Sequence, residues 1–93
     1  MKSKKTLEKL NQTNNQKRSV VVSGHQTSVS LEQIFWDLLI VLAKEKNLSI
    51  NQLITKIDRN RNGVLSSAIR VFIVVELLRE QQISKEPLKS GPN

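Results

Sequence analysis

The chain lacks cysteine altogether and has a single histidine, His25. Disulfide staples are therefore excluded, and a zinc cluster built on cysteine and histidine has no ligand set. The missing cysteine also fits an expected cytoplasmic location. No segment approaches the ~18 consecutive apolar residues of a membrane span, and no apolar stretch follows the basic start as a signal peptide requires. Neither a glycine-rich phosphate loop nor a nucleophile-base pair is present, so neither enzymatic activity nor a cofactor is expected.

Acidic residues are few beside basic ones, and the resulting formal charge of +7 is unevenly spread. Lys2, Lys4, Lys5, Lys9, Lys17 and Arg18 stand against Glu8 alone in the first 18 residues, which gives +5; the remainder carries +2. Residues 1–18 hold only Met1, Leu7 and Leu10 as apolar side chains and cannot bury enough surface to offset chain entropy. They read as a disordered basic arm, suited to non-specific attraction to phosphates. Residues 80–93, with Pro87, Gly91 and Pro92, read as a flexible tail. What remains, residues 19–79, is a core-rich domain of a size that is marginal for a monomer. Oligomerisation is the expected remedy.

Gln26 to Leu31 alternates cleanly. Val29 and Leu31 fall on one face with Thr27 in phase, while Gln26, Ser28 and Ser30 fall on the other. One strand needs partners for its backbone groups, so the expected solution is pairing with its own copy in a two-fold antiparallel ribbon. A ribbon of that kind, backed by helices, fits the DNA major groove. Before it, Ser19-Val20-Val21-Val22 ends in the turn chemistry of Ser23-Gly24. That run is either a separate edge strand or an extended lead-in.

Three helices follow. Phe35, Leu38, Leu39 and Leu42 mark the first, from Leu31 to Lys46, with Trp36, Ile40 and Ala43 as a second stripe. Ser30 and Gln33 have capping-box spacing, and Asn47 is a natural left-handed stop. Trp36 on its apolar stripe is expected in the core. The second helix, Ile50 to about Asp58, has its own box in Ser49 and Gln52 and a single stripe of Ile50, Leu53, Ile54 and Ile57. Asp58-Arg59-Asn60-Arg61-Asn62-Gly63 imitates the start of a calcium loop, but the twelfth position is Ile69 rather than a bidentate Glu, so calcium is rejected. A third helix, from Leu65 or Ser66 to Arg79, is apolar nearly all round. It belongs in a core that one copy of so small a domain cannot supply. Arg70 on it is expected to pair with an acid such as Asp58 or Asp37, the alternative being a reach to DNA.

Strand, helix, short turn and capped helix, in that order, resemble the ribbon-helix-helix family of DNA-binding proteins. Lys17-Arg18-Ser19-Val20, Gly24-His25, Thr27 to Glu32 and Phe35-Trp36 resemble a bacterial subgroup of it, as do Ile57-Asp58 and Leu65 to Arg70. The implied fold is mainly α with one short β-strand. It is an intertwined homodimer with an intermolecular antiparallel β-ribbon and an extra C-terminal helix. The resemblance implies that Gln26, Ser28 and Ser30 enter the major groove, where Gln can pair with adenine and Ser can meet several base edges. It also implies a phosphate held by backbone donors around Ser49, Ile50 and Asn51. This strand departs from many relatives in carrying no charge on its outward face. Lys17, Arg18, His25 and the arm would then supply phosphate contacts, although a turn histidine needs no function.

The expected function is that of a homodimeric DNA-binding protein, most simply a small transcriptional regulator, with double-stranded DNA and itself as partners and no membrane. The competing class is a protein-interaction module: an antitoxin-like partner, or a dimer that no longer binds DNA. Only Ile83 and Leu88 serve as anchors in the tail, which weighs against toxin capture.

Overall fold

The computed structural model describes residues 14–85; residues 1–13 of the expected arm and 86–93 of the expected tail lie outside the described residues. Strands β1 (Asn15–Val22) and β2 (His25–Glu32) form a two-stranded antiparallel sheet. Helices α1 (Gln33–Glu45), α2 (Ile50–Arg59) and α3 (Leu65–Lys85) follow. The expectation of one strand without a partner in its own chain is therefore corrected. β2 pairs with β1 along its whole length, from Val22 opposite His25 to Asn15 opposite Glu32.

The physical reason lies in two residues. Ser23 and Gly24 take φ of 52° and 83°, both left-handed, as a two-residue hairpin turn of the type I′ kind requires. Glycine meets that requirement without strain, and the turn's twist matches that of the strands it joins. Of the two alternatives for Ser19–Val22 the separate edge strand holds: the run is the end of β1. The strand also takes in Asn15–Arg18, residues that by composition alone look like part of the arm.

The register puts Val20 and Val22 on the same face as Val29 and Leu31, and all four are buried. They lie on Trp36, Leu39, Leu42 and Ala43 of α1, Leu53, Ile54 and Ile57 of α2, and Ile69 and Ile73 of α3. Each large apolar side chain withdrawn from water in this cluster contributes about 1.5–3 kcal/mol. Trp36 is in the core as its stripe implied, and its indole Nε1 donates to the Gln16 carbonyl at 2.8 Å. That bond ties the beginning of β1 to α1.

The helix boundaries follow local chemistry with one exception. β2 runs on through Glu32, which becomes the N-cap of α1 with no side-chain capping bond. The expected Ser30–Gln33 box does not form, because Ser30 is held in the sheet opposite Lys17 and the Gln33 side-chain Nε2 donates to Asp37 Oδ1 instead. α1 closes as expected on Asn47 at φ 58°. The Leu48 amide donates to the Ala43 carbonyl and the Asn47 amide to Lys44, which is a Schellman closure. At α2 the Ser49–Gln52 box is complete in both directions. α3 extends to Lys85, six residues past the expected Arg79.

Candidate nucleic-acid interface

The face of the sheet turned away from the helices is built by alternation. Lys17, Ser19 and Val21 of β1 lie directly opposite Ser30, Ser28 and Gln26 of β2, and all six are exposed. Gln26, Ser28 and Ser30 are thus brought together on one open surface, as the alternation of β2 implied. Lys17 joins them from the neighbouring strand, so the face is not uncharged. Sequence reasoning placed Lys17 among the phosphate contacts but missed that it shares this face. The signal was the two-residue turn, which fixes the register back to Lys17.

Arg18, one residue on, points the other way. Its guanidinium lies over the Trp36 ring, 5.0 Å from the centroid. Arg18 remains exposed, and cation–π pairs at exposed sites stabilise by about 0.5–1 kcal/mol. His25 falls in phase with the inner face but is exposed beside the turn. Arg18 and His25 are therefore separated from the Gln26–Ser28–Ser30 surface.

The two edges of the sheet differ as well. A two-residue turn is closed by a hydrogen-bonded pair, Val22 with His25, so the backbone groups of Val21 and Ser19 point off the β1 edge and those of Gln26, Ser28 and Ser30 off the β2 edge. On the β1 side the Val21 amide donates to Asn51 Oδ1 and the Ser23 amide to Thr55 Oγ1, each at 3.1 Å. α2 therefore lies along that edge, with its N-terminus beside Val21. Among the described residues no hydrogen bond reaches the outward backbone groups of Gln26, Ser28 or Ser30. An open groove of about 400 Å³ borders that edge, lined in part by Ser28, Ser30, Val64, Leu65 and Ser66.

The α2 N-terminus is partly occupied by its own cap. The Ser49 amide donates to Gln52 Oε1 and the Gln52 amide to Ser49 Oγ. The amides of Ile50 and Asn51 are the donors left for an anion, while the Asn51 side chain is committed to β1. Arg70 pairs with Glu32 at 2.9 Å rather than with Asp58 or Asp37, because continuation of β2 through Glu32 brings that carboxylate to α3. Asp58 instead accepts from Arg61 Nε at 2.6 Å. The Glu32 carboxyl is held below its ordinary range, first by a backbone hydrogen bond at its own residue and then by the Arg70 guanidinium.

The model of the ribbon-helix-helix domain matches residues 15–77, from the start of β1 into α3. The chain belongs to the ribbon-helix-helix domain family. Within this ribbon-helix-helix chain, β2 is the strand that leads into the helix pair α1–α2, while β1 and α3 lie before and after that unit. A solved structure of an uncharacterized protein from Bordetella pertussis Tohama I is similar at a TM-score of 0.63 and 29% identity. The similarity covers 87% of this chain and 74% of that one. No curated protein matches the chain. None of the described helices is long and apolar enough to cross a membrane.

Proposed function

We propose that this ribbon-helix-helix protein is a homodimeric, cytoplasmic DNA-binding regulator. In this reading β2 pairs with the β2 of a second copy, and the exposed sheet face sits over the major groove. The observation that carries the proposal is the coincidence, on one strand, of an unprotected edge and a polar outward face. Protected edges are covered, short, charged or interrupted by proline; β2 has eight residues, none of them proline, with charge only at its last position. Gln26, Ser28 and Ser30 would meet base edges, and Lys17 with the free amides of Ile50 and Asn51 would meet phosphates.

Exposed apolar side chains support the second copy. Val71, Val74, Val75 and Leu78 of α3 and Val41 of α1 remain open to solvent, Val71 at 61% and Leu78 at 59%. A patch of this kind on one small domain is an interaction surface. It also supports the alternative reading, a protein-interaction module that binds another protein through α3 and leaves DNA alone.

Salt separates the two. With labelled duplexes selected from random sequence, affinity is expected to fall by about 10³-fold or more between about 50 and 200 mM salt if several phosphates are neutralised. Light scattering is expected to give twice the chain mass. Undetectable retention of any duplex at low salt would leave the protein-interaction reading.

A further inference from the structure

The hairpin changes what a second copy would build. A single strand per chain makes a two-stranded ribbon, but here β1 already occupies the far side of β2. Pairing two β2 edges gives a four-stranded sheet in the order β1–β2–β2–β1, with the partner's strands last. Three spacings of ~4.8 Å separate the outer strands by ~14 Å, whereas the inner pair is only ~5 Å across. The major groove is ~12 Å wide, so the inner strands overlie the floor and the outer strands overlie the phosphate walls.

The outer strand carries one cation on that face. Among its described positions, Asn15, Lys17, Ser19 and Val21 point outward, and Lys17 is exposed. Arg18 is directed to the opposite face, onto Trp36. The α2 N-terminus lies along the same outer edge, beside Val21. We infer that Lys17 is a phosphate clamp at each rim of the groove, held in place by the sheet, and that Arg18 makes no DNA contact. This assignment rests on the DNA-binding reading above. It divides the sheet face by strand: β2 reads bases, and β1 grips the backbone.

The test compares Lys17→Ala, Arg18→Ala and the unaltered full-length protein on selected and random duplexes across a salt series. For Lys17→Ala the log–log salt slope is expected to shrink by about 1.8, two phosphates per dimer at ~0.9 each, equally on both duplexes. Lys17→Arg should restore it, and Arg18→Ala should leave the slope unchanged. An unaltered slope in Lys17→Ala, with the unaltered protein binding normally, would overturn the clamp alone. Loss confined to the selected duplex would also overturn it, because Lys17 would then be reading a base. If the unaltered protein retains no duplex at all, the DNA reading falls and the clamp with it.

Discussion

The two edges of one hairpin face opposite treatment. Along β1, side chains of α2 stand in for the missing neighbour: Asn51 accepts from Val21 and Thr55 from Ser23. Along β2, among the described residues, the outward backbone groups of Gln26, Ser28 and Ser30 have no hydrogen-bond partner. At Glu32, where the edge ends, the carboxylate reaches across to Arg70 Nε at 2.9 Å. The open part of the sheet is therefore a short window, bounded by the turn on one side and an ion pair on the other. A covered edge resists further pairing, and an open edge invites it. The chain has closed one side of its sheet with a helix and, among the described residues, left the other without a hydrogen-bonded neighbour.

The largest expected effect breaks the open side. Ser28→Pro removes a backbone donor that points off the β2 edge and takes no part in the hairpin; proline is tolerated at such edge positions. Circular dichroism should show the fold kept. The mass by light scattering should drop from dimer to monomer, and DNA affinity should fall by about 100-fold or more, since half of each site is lost. A dimer that survives Ser28→Pro would show that the copies meet elsewhere, with α3 the obvious place.

The next effect opens the closed side. Asn51→Ala with Thr55→Ala leaves the Val21 and Ser23 amides without their acceptors, and about 0.5–1.5 kcal/mol per hydrogen bond is expected to go from the unfolding free energy. Denaturant melts would measure this, while the mass in solution stays unchanged. Both amides are exposed enough for water to replace part of the loss, which sets the lower end of that range. If the mass rises instead, β1 becomes a second pairing edge, and the two edges differ only by this cover.

The smallest effect concerns the ion pair that ends the window. Glu32 titrates lower in the folded chain than in the unfolded one, so its contribution is present above the ordinary carboxylate range and is lost as pH falls through the folded value. The stability advantage of the unaltered protein over Glu32→Gln should therefore shrink in thermal melts taken from about pH 7 down to about pH 3. Glu80 responds in the opposite sense, because the neighbouring carboxyl of Glu45 pushes its own up. That change is common to both proteins and cancels in the comparison. An advantage independent of pH would mean that Glu32 acts through packing alone.

Much of this was legible from residue order because it depends on near neighbours. The Ser49–Gln52 box joins residues three apart, and the left-handed Asn47 closes the helix just before it. Alternation placed Gln26, Ser28 and Ser30 on one face, since side chains along a strand alternate whatever the strand pairs with. The stripe that put Trp36 in the core works the same way. Two of the failures involve distant partners. Ser30 looked like a helix cap because its spacing to Gln33 is right, but pairing with Lys17, thirteen positions earlier, holds it in the sheet. Arg70 could reach several carboxylates on paper, and only the packing of α3 against the end of β2 selected Glu32.

The amino-acid sequence by itself determined the order of elements, the two faces of β2, the stops and caps of α1 and α2, and an apolar third helix too greedy for one small domain. Those are properties of adjacent residues and of helical or strand period. Only the tertiary structure decided that Lys17 and Arg18, adjacent in the chain, serve opposite faces of a sheet, one exposed beside Ser30 and the other on Trp36. It also decided which sheet edge is covered, because that depends on where α2 lands. The physical reason is register: a two-residue turn with both φ positive sets which side chains and which backbone groups point where, eight residues away from itself as well as beside it.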